Sequence, residues 1–391
     1  MEIQGHVHLK KGREASVRRF HPWVFSGAVQ RVDDHPGNGD WVCVYDASGE
    51  VLGYGHYQKG TITVRLLSFT SEKPTAGLYH DRISAALQLR RAARVVEPNT
   101  NCYRLVHGEG DGVTGLIIDL YNGVAVMQPH SAGIYKDRER ITAALREVLG
   151  DELAAVYCKG MSSGEGVAAS AYLFGMSAVP HGVLEHGNKF QVDWETGQKT
   201  GFFLDQRENR KLLGTFSQGR EVLNTFCYTG GFSVYALQGG ASLVHSIDAS
   251  EKAVALAKSN LALNGFDADK HMCVTGDTFD FLRDKKDRYD LIILDPPAFA
   301  KHKDARHQAM KGYQRLNAEA MRVIRSGGIL FTFSCSQVVD RQLFYDTVVS
   351  SAIQSGREVK VLSTLSQPAD HPVSLFHPEG EYLKGLVLYV T

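Results

Sequence analysis

Two short motifs in the last third of the chain contain side chains that could do chemistry. One is Asp295-Pro296-Pro297 and the other is Ser334-Cys335-Ser336, and each directly follows an apolar run. A carboxylate can bind or protonate a ligand, and a thiolate is a good nucleophile. A cysteine in such a position is also often a small buried side chain, so the pattern alone leaves both interpretations of Cys335 open.

A second group of candidates lies upstream, in a loop that follows another apolar run. The stretch from Asn224 to Gly231 ends in two glycines, which let backbone N–H groups approach a ligand, and it precedes a predicted helix N-terminus. Asp248 ends the next apolar run, where an acidic side chain can accept hydrogen bonds from ribose hydroxyls. The loop has neither of the two glycine-rich phosphate-binding motifs. A cofactor with a ribose is therefore the better interpretation, and a plain turn is the alternative.

The arrangement of these motifs requires a scaffold that brings strand ends together. Apolar runs around residues 221–226, 246–248 and 290–294 alternate with helical segments at 233–239 and 251–264. This alternation predicts a doubly wound α/β sheet with buried parallel strands, whose carboxyl ends share one edge. A further predicted strand, Gly327 to Phe333, would bring Cys335 to the same edge as Asp295.

The combination of motifs resembles a known family. Asn224 to Gly231, Asp248, Asp277 and Asp295-Pro296-Pro297 look like the successive motifs of a class I S-adenosylmethionine (SAM)-dependent methyltransferase. Together with further segments, the chain resembles the RlmI-like bacterial 23S ribosomal RNA cytosine-C5 methyltransferases over essentially its whole length; these segments are 201–207, 333–336, 369–372 and 379–385. The resemblance implies a C-terminal class I (Rossmann-like) sheet, an N-terminal PUA-type RNA-binding β-barrel and a central α+β domain.

The same resemblance implies roles for individual residues. SAM would be the cofactor, Cys335 would add to C6 of a cytosine, and Asp295 would bind the N3/N4 edge of that base. Asp248 would bind the ribose and Asp277 the adenine amino group, although Asp277 could equally be a helix N-cap. The cofactor-binding set comprises Phe203, Asp205, Gln206, Arg207, Asn224, Phe226, Tyr228, Thr229, Gly230, Asp248, Asp277 and Asp295. The substrate-binding set comprises Pro296, Pro297, Phe299 and Lys301.

Two other functions remain open. An amino-group RNA methyltransferase acting on N6 of adenine or N2 of guanine could use Asp295-Pro296-Pro297, with Phe299 stacking on the base, and would need no cysteine. A non-catalytic RNA-binding protein of ribosome assembly would keep the sheet only as a scaffold.

The chain departs from the pattern of many RNA cytosine-C5 enzymes at one position. Those enzymes have a second cysteine, associated with product release, where this chain has Ala298. The group that assists release of Cys335 cannot be named from the sequence.

Composition restricts the remaining possibilities. The formal net charge of the 391 residues is zero, so RNA binding would depend on basic patches, which we predict at 10–19, 82–94 and 301–315. No run is apolar enough to span a membrane and the first residues are not signal-like, so we expect a cytoplasmic protein without membrane contact. The six cysteines contain no Cys-x-x-Cys pair, so we expect no metal. A homodimer is left open.

Element patterns predict three domains. Closely spaced short strands between turns predict a β-barrel over residues 1–70. Predicted helices at 80–96 and 134–149, with strands at 115–121, 124–127 and 154–157, give the central domain, residues 71–180. The methyltransferase domain, residues 181–391, would open with a hairpin whose second arm ends at Phe202 to Leu204. A helix N-capped by Asp205 would follow, carrying Arg207, Asn209, Arg210 and Lys211. The charges at its start would either be solvated or, as the resemblance implies, face the amino-acid end of the cofactor.

Overall fold

The computed structural model describes residues 1–163, 166–167, 169–283, 288–300 and 302–391. Two compact units are present. The first contains Met1–Val183, Val192–Leu204 and Ala369–Gly380, and the second contains Leu184–Gln191, Asp205–Pro368 and Glu381–Thr391. We keep the division into three domains at residues 70 and 180 as a proposal, in which the first unit contains two of them.

The first sheet of the first unit has six strands, and their apolar side chains share a core that includes Val7, Val42 and Val64. Its strand order is β2-β6-β5-β4-β1-β3, and β1 and β4 are parallel. The elements are β1 (Gly5–Leu9), α1 (Ala15–Arg18), β2 (Trp23–Phe25), β3 (Val29–Asp33), β4 (Trp41–Tyr45), β5 (Val51–Tyr57) and β6 (Ile62–Ser68).

A five-stranded sheet with helices forms the second large part of the first unit. The order is β13-β10-β9-β8-β7, and β11 pairs with β12 separately. Asn122 and Gly123, between β8 and β9, have φ values of 45° and 84°, which agrees with the expected hairpin turn. The elements are α2 (Leu78–Ala92), β7 (Cys102–His107), β8 (Leu116–Tyr121), β9 (Val124–Pro129), α3 (Ala132–Lys136), α4 (Arg138–Leu149), β10 (Ala155–Cys158), β11 (Ser162–Ser163), β12 (Gly166–Val167) and β13 (Ala171–Phe174).

The single helix predicted over residues 134–149 is wrong, because α3 ends before Asp137 and α4 begins after it. The buried Asp137 carboxylate accepts hydrogen bonds from Trp41 Nε1 (2.9 Å), His56 Nε2 (3.0 Å) and Tyr79 Oη (2.7 Å), and Arg140 donates to its other oxygen. The apolar periodicity continues across position 137, so the sequence pattern did not indicate a break. The break occurs where Asp137 contacts residues that are distant in sequence. We call these five residues the Asp137 cluster.

The second unit is built on a seven-stranded sheet in the order β18-β17-β16-β19-β20-β22-β21. The first five strands are parallel, whereas β22 is antiparallel to both neighbours. The α/β sheet inferred from the sequence is thus confirmed. The elements are β14 (His181–Glu185), β15 (Asn188–Val192), α5 (Arg207–Thr215), β16 (Glu221–Thr225), α6 (Gly231–Gln238), β17 (Leu243–Asp248), α7 (Glu251–Leu263), β18 (His271–Thr275), α8 (Thr278–Leu282), β19 (Tyr289–Leu294), α9 (Arg306–Val323), β20 (Ile324–Ser334), α10 (Arg341–Ser355), β21 (Val359–Leu365) and β22 (Lys384–Val390).

Two expectations and one alternative for the start of the methyltransferase domain are wrong. The hairpin consists of β14 and β15, and no strand follows between residues 193 and 203. Asp205 does not cap α5, because a 3₁₀ turn from Leu204 to Gln206 precedes that helix and Asp205 Oδ2 instead accepts from Tyr382 Oη at 2.7 Å. Arg207 and Arg210 are buried, so the alternative of solvated charges at the start of this helix is wrong. Arg210 donates to both carboxylate oxygens of Glu185, a pairing between residues distant in sequence.

None of the helices in the described parts of the chain combines the length and the apolar character that crossing a membrane requires.

Candidate active site

The parallel strands bring several predicted site residues to one edge of the sheet. Thr225 is the register partner of both Ile247 and Leu294, and Leu294 is in turn the partner of Thr332. These register partners therefore lie in a row across the sheet, with about 4.8 Å between neighbouring strands. Asp248, Phe226 and Asp295 come next along the first three strands of the row, whereas β20 continues to Ser334 and Cys335 follows it at the same edge of the sheet.

The loop after β16 has an unusual backbone. Phe226, Tyr228 and Gly230 all have positive φ values, of 54°, 45° and 76°. A Cβ atom at Gly230 would lie 3.0 Å from the Cβ of Ala257, so α7 also requires a glycine there. Non-glycine residues in this region are strained, and such strain is concentrated at ligand sites. The loop is therefore held in one conformation, with its end at the N-terminus of α6.

Asn260 of α7 holds this loop, and the sequence analysis missed it. Its Nδ2 donates to the carbonyl of Thr229 at 2.9 Å and its Oδ1 accepts from the N–H of Gln191 at 2.8 Å. The available signal was an asparagine on the apolar face of a predicted helix, between Ala257 and Leu261. An amide that is buried in this way is normally hydrogen-bonded.

Asp248 connects the loop to the end of β17. Its Oδ2 accepts from the N–H of Tyr228 at 2.9 Å and its Oδ1 from the N–H of Ser250 at 3.0 Å. A carboxylate has about four acceptor positions, so both oxygens can also accept from the hydroxyls of a ribose. The residue is only half-buried, which leaves room for such a ligand.

Asp277 is the N-cap of α8, so that alternative is confirmed: its Oδ1 accepts from the N–H of Asp280 at 3.1 Å. The preceding residue, Gly276, donates its N–H to the carbonyl of Asp248 at 3.0 Å. This bond places the loop of Asp277 next to the strand end of Asp248. The exposed Asp277 can still use Oδ2, so capping the helix does not exclude the cofactor role.

Asn224 is a buried residue of β16 with one unused polar atom. Its Nδ2 donates to Ser233 Oγ at 2.8 Å, whereas its Oδ1 has no hydrogen-bond partner among the described residues. Leaving such an atom unpaired costs about 1–3 kcal/mol. A donor group on a ligand would remove this cost, so Asn224 fits a polar cofactor.

The other predicted cofactor residues are spread over both units. In the second unit, Gln206 Oε1 accepts from Asn209 Nδ2 at 2.6 Å, and the Nε of the buried Arg207 lies 3.3 Å from Glu208 Oε1. Phe203 belongs to the first unit, where the ammonium of Lys199 lies 4.6 Å from its ring centroid. The roles of all three remain predictions.

The loop after β19 contains the predicted substrate residues. Pro296 is buried, Pro297 is exposed and Asp295 is half-buried. The ring of Phe299 packs against α9, with its centroid 4.6 Å from that of Tyr313. Packing on one side restricts its use as a stacking platform for a base. Lys301 lies outside the described residues.

Tyr313 of α9 lies near both proposed catalytic groups. Burial raises the pKa of Tyr313 to about 12; Ser334 acts in the opposite direction, and the negative charges of Cys335 and Asp295 add to the rise. The tyrosine is thus neutral at physiological pH. Tyr313 is distant in sequence from both motifs, which explains why the motifs alone did not indicate it.

Cys335 is half-buried just beyond the end of β20. A buried lysine, Lys384 of β22, contacts the adjacent backbone: its Nζ donates to the carbonyl of Ser336 at 2.7 Å. The sequence analysis included Lys384 in a family motif without giving it a role.

In the described ranges, one trio of side chains has the composition of a metal site, and it lies in the first unit. His21 Nε2 and His377 Nε2 are 3.5 and 3.8 Å from the two carboxylate oxygens of Glu379. His377 also packs edge-on against Trp23, with ring centroids 4.4 Å apart. These are ordinary packing and ion-pair contacts. The expectation of no metal stays a prediction.

Comparison with protein families agrees with this geometry. The model of the SAM-dependent methyltransferase family matches residues 164–375, and that of PUA-like domains matches residues 7–69. A solved structure of a SAM-dependent methyltransferase from Streptococcus mutans has a TM-score of 0.84 and 25% identity, and the match covers all of both chains. Another methyltransferase structure, complexed with SAH, has the same scores and coverage. Fold and site thus define a SAM-dependent methyltransferase with a PUA-like domain.

Curated relatives identify the family within that class. The chain is 39% identical to the ribosomal RNA large subunit methyltransferase I of Alteromonas mediterranea, over the full length of both. It is 38% identical to the protein of that name from Aeromonas hydrophila, over 98% of each chain. The chain belongs to the ribosomal RNA large subunit methyltransferase I family, and its cofactor is SAM.

Proposed function

We propose that the protein methylates C5 of a cytosine in 23S ribosomal RNA through a covalent bond between Cys335 and C6. The name of the curated relatives supports large-subunit ribosomal RNA as the substrate. The observation that carries the chemistry is the register of β19 and β20, because it brings Cys335 and Asp295 to the same edge beside the cofactor loop.

The proposed chemistry follows from the weak nucleophilicity of cytosine C5. Bound SAM supplies an electrophilic methyl group. The thiolate of Cys335 adds to C6 and makes C5 enamine-like, which divides one difficult step into two easier ones. Asp295 binds the N3/N4 edge of the base and stabilises it during addition. The rigid prolines after Asp295 fix the backbone beside a base that has been turned out of its stack.

The cofactor site that we propose is built from the predicted positions of the second unit. Asp248 binds the ribose hydroxyls, Asp277 the adenine amino group, and the loop from Asn224 to Gly230 the methionine end. The N-terminus of α6 and the unpaired Oδ1 of Asn224 both suit a polar ligand at this position. Arg207 pairs with the methionine carboxylate, for which a guanidinium is well shaped.

Exposed basic side chains can bind the RNA phosphates, although fewer are available than the sequence suggests. Two members of the predicted patches are used internally: Arg18 pairs with Asp46 and Glu50, and the buried Arg90 pairs with Asp111. Those that remain exposed are Lys10, Lys11, Arg13 and Arg19 in the first patch, Arg91 and Arg94 in the second, and Arg306, Lys311 and Arg315 in the third. Basic side chains at these positions suit a polyanion even though the net charge is zero.

The deciding experiment measures which nucleoside is methylated. The protein is incubated with methyl-labelled SAM and an unmodified 23S ribosomal RNA transcript, and the RNA is digested to nucleosides. We expect the label in 5-methylcytidine alone. A 16S transcript is the control for the class of RNA and should stay unlabelled. Label in N6-methyladenosine or N2-methylguanosine would contradict the proposal and support an amino-group enzyme, and no label with any RNA would support a non-catalytic protein.

We predict that Asp248→Ala weakens SAM binding more than tenfold. The variant loses a charged acceptor for the ribose, and a hydrogen bond to a charged group contributes roughly 1.5–3 kcal/mol. Titration calorimetry measures the affinity. Asp267→Ala, at an exposed position after α7, is the matched control and should bind SAM normally. Equal affinity of the two variants would remove Asp248 from the cofactor site.

A further inference from the structure

One lysine contacts the chain on both sides of Cys335. In the antiparallel pairing of β20 with β22, Ser334 lies opposite Lys384. The Lys384 ammonium donates to the carbonyls of Ser336 and Tyr382, both at 2.7 Å. Backbone pairing therefore fixes Lys384 beside the residue before Cys335, and its side chain reaches the residue after it.

The charge of this lysine lies in a buried environment. Its side chain is 4% exposed, and burial lowers the pKa of Lys384 to about 8, while the negative charges of Cys335 and Glu381 act in the opposite direction. Lys384 is therefore still mostly an ammonium at neutral pH, with two carbonyl oxygens as acceptors. A charge in a low-dielectric site acts on its neighbours more strongly than an exposed one.

We propose, on the basis of the function proposed above, that Lys384 is the positioning residue that keeps Cys335 in its thiolate form and stabilises that thiolate again when it leaves the product. A cation beside a thiol favours the deprotonated form, which is the nucleophile. Fixed pairing between β20 and β22 keeps the two groups together throughout the reaction.

The thiolate charge is present at the beginning and at the end of the reaction. In the addition, the sulfur electron pair forms the S–C6 bond, the C5=C6 π pair forms the bond to the methyl carbon, and the former S–CH₃ pair stays on the sulfur of the cofactor. In the release, water takes the C5 proton, the C5–H pair restores C5=C6, and the S–C6 pair returns to Cys335. Lys384 thereby assists product release, the role associated with a second cysteine in enzymes that have one at the position of Ala298.

The test measures the ionisation of Cys335 directly in the full-length protein. The protein reacts with iodoacetamide over a range of pH, and mass spectrometry measures how fast the peptide that contains Cys335 is alkylated. In the unmodified protein we expect an apparent pKa below the value of about 8.5 for a free thiol. Lys384→Met should raise it by about one unit or more, because an opposite charge is lost, and should slow alkylation at neutral pH about tenfold. Lys384→Arg keeps the charge and should stay close to the original protein.

Lys360→Met is the matched control, because Lys360 is an exposed lysine on β21. A folded Lys384→Met variant with an unchanged thiol pKa would overturn the proposal. If circular dichroism shows that this variant does not fold, the pKa of Cys335 in the unmodified protein is the test. A value at or above about 8.5 would mean that the thiolate is not stabilised and would overturn the proposal. Alkylation requires no methyl transfer. A Cys335→Ala variant that still methylates RNA would therefore disprove the proposed function without changing the result for Lys384.

Discussion

Cys335→Ala should lose RNA methylation by at least about a thousandfold while it binds SAM as tightly as the unmodified protein. A nucleophile in a covalent mechanism cannot be replaced by binding energy from the rest of the site, so its removal has a large effect on the chemical step. The cofactor loop and Asp248 lie on other strands and keep their contacts. The two measurements are single-turnover transfer of labelled methyl groups and titration calorimetry with SAM.

Two controls make this test specific. Cys273→Ala removes a half-buried cysteine of β18 and should leave methylation unchanged. RNA that contains 5-fluorocytidine should form a stable adduct with the unmodified protein in the presence of SAM. Fluorine replaces the C5 hydrogen that must be removed as a proton before the S–C6 bond can break. Cys335→Ala should form no such adduct. A methylating Cys335→Ala variant would instead favour the amino-group mechanism, which requires no thiol.

The second large effect concerns stability. Asp137→Ala should lower the free energy of unfolding of the first unit by about 3–5 kcal/mol, because it leaves the buried donors of Trp41, His56 and Tyr79 without their acceptor. Unfolding in denaturant can be followed by intrinsic fluorescence, since all three tryptophans, Trp23, Trp41 and Trp194, belong to this unit. Arg140→Ala is the matched control, because it removes only an exposed partner and should cost at most about 1 kcal/mol.

Acid should have a related effect on the same unit. Burial opposes ionisation of Asp137, but hydrogen bonds from His56 and Tyr79 outweigh it and lower its pKa to about 2. A carboxyl group with a lowered pKa in the folded state contributes stability above its unfolded pKa of about 4 and loses this contribution as the pH falls towards 2. The difference in stability between the original protein and Asp137→Ala should therefore shrink over that range. A constant difference, or equal effects of Asp137→Ala and Arg140→Ala, would contradict the role of the Asp137 cluster.

The Asp137 cluster also limits how the RNA-binding role of the first domain can be tested. Deleting residues 1–70 would remove Trp41 and His56, two hydrogen-bond donors of the cluster, and would leave the carboxylate of Asp137 poorly satisfied. Loss of RNA binding by such a truncated protein could then result from unfolding. Substitutions of the exposed Lys11, Arg13 and Arg19 avoid this difficulty.

Elements of regular pattern could be predicted from the sequence. The runs that end at Asp248 and Asp295 are buried parallel strands, and the helix from Glu251 agrees with its apolar spacing. The strand before Cys335 was likewise expected, because it is a long apolar run after two glycines. In each case the signal is local, since burial of a strand or of one helix face is visible in a few consecutive residues.

Features that depend on distant partners could not be predicted in this way. Asp205 resembles an N-cap in sequence, but its carboxylate binds Tyr382, and Arg210 looks solvated until Glu185 is placed beside it. The same holds for Lys384, whose significance appears only when β22 is inserted next to β20. Side chains with polar partners from separate elements have no periodic signature, so only the folded chain shows what they do.

The position of β22 also has a consequence for the order in which the sheet can form. This strand is the last of the seven in sequence, yet it lies inside the sheet, between β20 and β21. Until β22 is inserted, β20 has an open edge and β21 has no neighbour in the sheet. The sheet therefore cannot be completed by adding strands in chain order at its edges, and its closure depends on a strand that is synthesised after both of the strands it joins.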